Sequence, residues 1–258
     1  MKIITIATLK GGTGKTTTIF NLAGILSETH KILLIDTDPQ CNLSSDTGVD
    51  VTKQGLKTIK NVFDGNALLQ ELIFKKPIAS LPNLDIIPSS IQLTTAEFNI
   101  MGTAGREQIL NNFITDNQAC LNEYDYIFID TNPSMSIINQ NAFLAADSII
   151  LISDVSLNGI QGAELFIALW ENARKNLRKA DNIKALIINN YDRRIKLSEE
   201  MLEYCREHES VRGLLLDTII PAAVKLKESE IEHKPVDVPV LLAIFKNIIK
   251  ELNERGVL

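Results

Sequence analysis

Two lysines, three glycines and three threonines lie together near the start of the chain, as Lys-Gly-Gly-Thr-Gly-Lys-Thr-Thr over residues 10–17. Glycines let a backbone curl so that its N–H groups point at an anion, as in phosphate-binding loops of the form G-x-x-x-x-G-K-[ST]. Lys15 can reach the outer phosphates of a nucleotide, and Thr16 can offer its hydroxyl to Mg²⁺. The candidate nucleotide-binding residues of this segment are Lys10, Gly11, Gly12, Thr13, Gly14, Lys15, Thr16 and Thr17.

The flanking sequence predicts the elements that such a loop needs. An apolar run at 3–7 precedes it, and apolar residues at helical spacing follow it over 18–26. The loop would then lie at a helix N-terminus, where the helix dipole adds a partial positive charge. The alternative, a flexible turn capped by threonines, is disfavoured by this order of strand, loop and helix.

Aspartates follow two further apolar runs. Asp36 and Asp38 come after the run at 31–35, and Asp130 ends the run at 124–130. Because ligands bind at the carboxyl ends of parallel strands, Asp36 and Asp130 are candidate magnesium ligands beside Thr16. Carboxylates at this position can also orient the attacking water, so Asp38 is a second kind of candidate. An Asx turn at 36–38 and an ordinary strand end at 130 are the alternatives.

The second half of the chain contributes candidates for the base and for DNA. Asn190 follows a predicted strand at 183–189, and its amide suits the edge of adenine. Pro221 follows a second predicted strand, at 214–220, and its ring could cover the base. Five basic residues of this half could meet DNA phosphates or form a solvated charged face: Arg193, Arg194, Lys196, Lys225 and Lys227.

Length and composition limit the class of protein. The 258 residues are 45% hydrophobic, which suits one large domain over 1–258, and we predict a doubly wound, mostly parallel α/β sheet with helices on both faces. The net charge of −6 argues against an indiscriminate nucleic-acid coat. Three widely spaced cysteines favour free thiols. No apolar run approaches the ~20 residues of a spanning helix, and Met1 leads almost directly into the first predicted strand, so we expect a cytoplasmic protein.

Lys10 narrows the class of nucleotide-binding protein further. Counting back five residues from Gly14 gives Leu9 where the loop pattern has its first glycine, and Lys10 adds a second lysine. The segment resembles the deviant Walker A motif of the ParA/MinD group of ATPases, and the chain resembles the ParA/Soj type of partition ATPase. The resemblance extends to Asp-Thr-Asp-Pro-Gln at 36–40 and Tyr-Asp-Arg-Arg at 191–194. The chain departs from the family at Cys41, at Asn132 in the second switch, and at Ala222, where the family carries an arginine.

The resemblance implies a function. It implies that ATP and Mg²⁺ are bound, that Lys10 reaches the nucleotide of the other subunit in an ATP-dependent homodimer, and that Asp38 takes part in hydrolysis. Lys10, Lys15 and Asp38 then form the candidate catalytic set. The resemblance also implies nonspecific DNA binding by the five basic residues named above, association with the nucleoid, and a centromere-binding (ParB-like) partner that stimulates hydrolysis. The alternatives are a MinD-like membrane-associated switch, a regulator of some other cargo, an iron-protein reductase and a metabolic ligase. A membrane partner is disfavoured because the predicted C-terminal helix at 238–258 has no basic cluster, and we expect its apolar stripe to pack into the core.

Overall fold

Seven strands form one sheet in the computed structural model, which describes residues 1–258. The strands are β1 (Lys2–Ala7), β2 (Ile32–Asp36), β3 (Phe74–Lys75), β4 (Leu84–Ile87), β5 (Tyr126–Asp130), β6 (Ser148–Asp154) and β7 (Ile183–Asn189). Their order across the sheet is β3-β4-β2-β5-β1-β6-β7, and only β3 runs antiparallel to its neighbour. The predicted α/β sheet is thereby confirmed.

Helices cover both faces of the sheet. They are α1 (Lys15–Leu26), α2 (Asn42–Asp46), α3 (Lys60–Phe63), α4 (Leu69–Leu72), α5 (Leu93–Ile100), α6 (Ile109–Asp116), α7 (Gln118–Leu121), α8 (Ile137–Ala145), α9 (Leu157–Asn176), α10 (Lys196–Glu207), α11 (Val224–Ile231) and α12 (Pro239–Glu254). Side chains alternate between two cores of similar size, with 37 and 31 buried residues. Ile149 and Leu151 of β6 enter the first, and Ile150 and Ile152 the second. Similar cores on both faces are what a doubly wound sheet requires.

The register of the central strands aligns the polar strand ends. Asp130 of β5 lies level with Ile6 of β1 and with Asp36 of β2. On the other side of β1, Asp154 of β6 lies level with Asn189 of β7. The loop after β1 and the residues that end four other strands therefore meet at one edge of the sheet.

The predicted strand at 214–220 is wrong. Only isolated parallel bridges form there, Leu186 with Leu215 and Tyr191 with Pro221. The backbone amides of Asp217 and Thr218 bond instead to the Glu251 carboxylate of α12, at 2.8 and 2.9 Å. Because a side chain takes these donors, no continuous ladder can form.

Residues 104–121 have a helical pattern of apolar residues but do not form one continuous helix. They contain a 3₁₀ turn at Arg106–Gln108, then α6 and α7, with a break at Asn117. The Asn117 side-chain amide donates to the Phe113 carbonyl at 2.8 Å. Asparagine side chains compete with helical backbone bonds in this way, which accounts for the break.

The C-terminal helix α12 packs into the second core. Leu241, Phe245, Ile248 and Leu252 are all buried, as the core-packing interpretation of its apolar stripe predicts. None of the helices is both long and apolar enough to cross a membrane.

Candidate nucleotide-binding site

The loop between β1 and α1 is held in the conformation of a phosphate cradle. Gly12 and Gly14 have φ of 76° and 85°, in the left-handed region that glycine adopts at little cost. A Cβ on Gly14 would lie 2.1 Å from the side-chain nitrogen of Asn189, which itself donates to the Thr13 carbonyl at 2.7 Å. Glycine is therefore required at 14 by backbone conformation and by space. Asn189 was not among the site residues predicted from the sequence, where it is simply the last residue of a predicted strand.

Lys15 lies among carboxylates at the carboxyl edge of the sheet. Its residue is only 7% exposed, and burial lowers the pKa of its ammonium while Asp130 and Asp38 raise it. The Thr16 hydroxyl donates to Asp130 at 2.7 Å. The predicted pair of Thr16 and Asp130 is thus brought together, in a place where an oxygen-preferring cation would be held by few protein ligands.

Asp36 lies behind this edge. Its carboxylate accepts from the Asp38 amide at 3.0 Å and from the Ser44 amide and hydroxyl at 2.9 and 2.6 Å. Burial, followed by the charge of Asp130, raises the pKa of the Asp36 carboxyl. The structure gives Asp36 a bracing contact to α2, and a role as metal ligand remains a prediction. No group of three or more His, Cys, Asp or Glu side chains forms a metal-binding cluster.

Asp38 does reach the wall of a cavity. It is 7% exposed, and one of its carboxylate oxygens accepts the Gln40 amide at 2.9 Å. Cys41, where the resembled family has glycine, has a φ of 57°. That left-handed conformation explains why glycine suits the position.

Lys10 does not line this cavity. Its ammonium is paired with the Asp154 carboxylate and donates to the Ser156 hydroxyl at 2.9 Å. Ser156 also caps α9 by accepting the Gly159 amide at 3.0 Å. A Cβ on Gly159 would lie 2.2 Å from an Asp154 oxygen, so glycine leaves the space that this arrangement uses.

The cavity itself has a volume of about 710 Å³, within the range of about 300–1,000 Å³ usual for ligand sites. The phosphate loop forms one side and α11 the other. The residues from outside the loop that line it are Asp38, Gln40, Asn42, Asp46, Pro133, Asn189, Asn190, Ala223, Leu226, Lys227, Glu230 and Ile231.

The α11 wall was missed by sequence reasoning. The Thr17 hydroxyl donates to Glu230 of α11. Burial raises the pKa of Glu230, and burial followed by the charge of Glu230 raises that of Asp46 to about 7. The helical pattern of 224–231 gives no sign that it faces a loop some 200 positions earlier.

The two base-recognition candidates are placed differently. Asn190 lines the cavity with a φ of 56°, and its side chain approaches the Gly12 carbonyl at 3.5 Å. Pro221 forms an isolated β-bridge with Tyr191 and does not line the cavity, whereas Ala223 does.

Three of the five basic candidates are held in ion pairs. Arg194 is paired with Asp192 at 2.6 Å, Lys196 with Glu200 at 3.9 Å and Lys225 with Glu228 at 2.5 Å. Lys227 lines the nucleotide cavity. Arg193 makes no ion pair, and Arg193, Arg194 and Lys196 share the segment that follows β7.

The second switch, residues 131–136, has Asn132 and Ser136 where the resembled family has proline and glycine, and it is braced by hydrogen bonds from α8. The Asn139 side chain of α8 donates to the Asn132 carbonyl at 2.8 Å, to its side-chain oxygen at 2.9 Å and to the Ser134 carbonyl at 2.8 Å. Asn132 therefore replaces backbone restriction with side-chain hydrogen bonds. Ala222 is exposed and its amide bonds to the Tyr191 carbonyl at 3.0 Å.

Sheet, loop and cavity together define a P-loop nucleotide-binding protein of the ATPase type. Residues 1–185 match the model of a family described as an AAA domain. The chain is 32% identical over 237 residues to the chromosome partitioning protein ParA of Caulobacter vibrioides, a match that covers 92% of this chain and 86% of ParA. The chain belongs to the ParA family.

Solved structures agree on the fold. McdA of Cyanothece superposes with a TM-score of 0.87 at 23% identity, covering 98% of this chain and 99% of McdA. A plasmid partition protein of Borrelia burgdorferi, bound to AMPPNP, gives a TM-score of 0.78 at 26% identity, covering 98% of this chain and 99% of that protein.

Proposed function

We propose that the chain is a cytoplasmic partition ATPase that binds ATP with Mg²⁺, dimerises around the nucleotide and binds DNA nonspecifically. A centromere-binding, ParB-like partner would stimulate hydrolysis, and the ATP-bound dimer would associate with the nucleoid. The proposal treats residues 1–258 as one functional domain, supported by the single sheet and by the Lys2 ammonium, which donates to the Leu258 carbonyl at 2.8 Å.

The observation that carries the proposal is the pair of differently placed lysines. Lys15 is buried and lines the cavity, while Lys10 of the same loop does not line it and is paired with Asp154. Once the Asp154 carboxylate releases it, the Lys10 ammonium is available to the nucleotide of a second copy of the chain. ParA is a chromosome partitioning protein, and that supports the choice of cargo.

The residues around the cavity fit a magnesium nucleotide. The cradle has no room for a Cβ at Gly14, and a buried ammonium faces the anion site. Thr16 and Asp130 would hold the cation, and bound ATP would supply the phosphoanhydride bond. Lys15 offsets charge on the phosphates, and the exposed part of Asp38 can orient water.

The test is binding to long nonspecific duplex DNA at two salt concentrations. The unmodified chain is measured with ATP and with ADP, and Lys10→Ala with ATP. We expect retention only for the unmodified chain with ATP, and a steep loss at the higher salt because phosphate contacts release counterions.

Nucleotide binding by Lys10→Ala is measured in parallel, because this variant should still bind ATP. DNA retention that is independent of ATP or of Lys10 would contradict the proposal. Dimerisation with ATP but without DNA retention would instead favour positioning on some other surface.

A further inference from the structure

A second cavity lies behind the loop that carries Asp38. It has a volume of about 640 Å³ and is lined by residues 39–41, 51–56, 58 and 90–92. A smaller depression of about 210 Å³ adjoins it and shares residues 55, 56, 58, 90 and 92. We call these two together the basic groove.

The charge of the basic groove is opposite to that of the chain. Lys53 lines the larger part, Lys57 and Lys60 line the smaller part, and no aspartate or glutamate lines either. The chain as a whole has a net charge of −6. Lys60 is paired with Asp64, while Lys53 and Lys57 make no ion pair. Lys53 and Lys57 are therefore open to an acidic ligand, and Asp50 is the carboxylate of the chain that would compete for Lys53.

The groove also offers an apolar contact. Ile91 is 66% exposed and lines the larger part together with Val51 and Leu56. An acidic peptide with an apolar side chain would bury Ile91 while its carboxylates meet the lysines. DNA fits less well, because a phosphate backbone would leave Ile91 without an apolar partner and the Lys60–Asp64 pair offsets one of the three lysines.

The groove and the nucleotide cavity share a wall. Gln40 lines both cavities, and its backbone amide donates to the Asp38 carboxylate at 2.9 Å. Cys41, next along, lines the groove in a left-handed conformation. A ligand in the groove thus contacts the back of the segment whose front faces the nucleotide.

We propose that the basic groove docks an acidic, extended segment of a partner protein, and that docking and nucleotide state influence each other through residues 38–41. The docking part stands on the groove alone. The coupling part rests on the proposed function, and by linkage each ligand must change the affinity of the other by the same factor.

The test is a selection from a displayed library of random peptides of about twelve residues against the full chain with ATP. Lys53→Glu/Lys57→Glu is used for counter-selection. We expect enrichment of acidic peptides with at least one large apolar residue, and about tenfold or greater loss of affinity for the double variant. Ile91→Ser should lower the affinity of the chain for the same peptides.

The matched control is Lys246→Glu/Lys250→Glu on α12, which makes the same charge change elsewhere and should leave affinity unchanged. Lys53→Gln/Lys57→Gln repeats the measurement should charge reversal unfold the chain. Absence of acidic peptides, or equal binding to the groove and control variants, would overturn the proposal. So would loss of DNA retention or of dimerisation in the groove variants without any peptide effect.

Coupling is tested by measuring one enriched peptide with ATP and with ADP. We expect affinities that differ about fivefold or more. Equal affinities in a chain that binds both nucleotides would overturn the coupling. Failure to bind ATP would contradict the proposed function while the peptide result still decides the docking.

Discussion

The two sides of the nucleotide cavity differ in how they are built. The phosphate-loop side comes from one continuous segment, residues 11–17, fixed by glycine conformations and by the strand before it. The α11 side comes from residues 223–231 and carries a lysine and a glutamate toward the same space. A polyphosphate is favoured by the first side and opposed in part by Glu230 on the second. We infer that the loop side sets whether a nucleotide binds and the α11 side adjusts how tightly.

The loop side should be broken most severely by Gly14→Ala. The added Cβ would be strained at a φ of 85° and would overlap Asn189 at 2.1 Å. We expect a loss of ATP affinity of about 100-fold or more, measured by calorimetry, because strain and overlap each cost roughly 1–3 kcal/mol.

Gly12→Ala is the matched control. Gly12 has a φ of 76° but nothing within 4 Å of its Cβ position, so strain acts alone. We expect a loss of about tenfold. Equal effects of the two substitutions would show that the Asn189 contact does not define the cradle.

The α11 side should respond in the opposite direction. Glu230→Gln keeps an acceptor for the Thr17 hydroxyl and removes a charge from the cavity wall. We expect ATP to bind about fivefold more tightly, as removal of a partly screened repulsion predicts. The exposed Glu232→Gln should leave affinity unchanged, and weaker ATP binding by Glu230→Gln would mean that the carboxylate contacts the nucleotide favourably.

A pH dependence should separate Asp46 from the loop side. Burial and then Glu230 raise the Asp46 pKa to about 7, above the value of about 3.9 in an unfolded chain. The contribution of Asp46 to the free energy of unfolding is therefore fully present below about pH 4 and is lost as the pH rises through about 7. Asp46→Asn should reduce the fall of the unfolding temperature between pH 5 and 8, at about 3 °C for each ~1 kcal/mol. An unchanged slope, matching that of the exposed Asp116→Asn, would contradict this assignment.

The smallest effect is expected beyond the cavity, on DNA. Arg193 makes no ion pair, while Nε and Nη2 of Arg194 both donate to the Asp192 carboxylate. Arg193→Ala should lower the salt slope of DNA retention by about 0.9, the value for one phosphate contact, and Arg194→Ala should lower it less. The opposite order would show that the Asp192 pair opens on binding.

The sheet edge and the phosphate-loop side of the cavity could be predicted from the sequence alone. Alternating or continuous apolar runs mark strands, and glycine, lysine and threonine at fixed spacing mark a loop, because both signals are written in neighbouring residues. The same locality explains why α12 was correctly predicted to pack into the core. It also explains the failure at 214–220, where the apolar pattern was right for a strand but the Glu251 carboxylate took the backbone donors.

Which side chains face the cavity depends on the tertiary fold and could not be predicted from local motifs. The fold placed Asp36 behind the edge against Ser44, put Asn189 beneath Gly14 and turned Lys10 toward Asp154. It also brought Glu230 to Thr17, across 213 positions of sequence, and gave Gln40 a place in two cavities. The physical reason is that a motif fixes residue types over a few positions, whereas burial and partners depend on how distant elements pack.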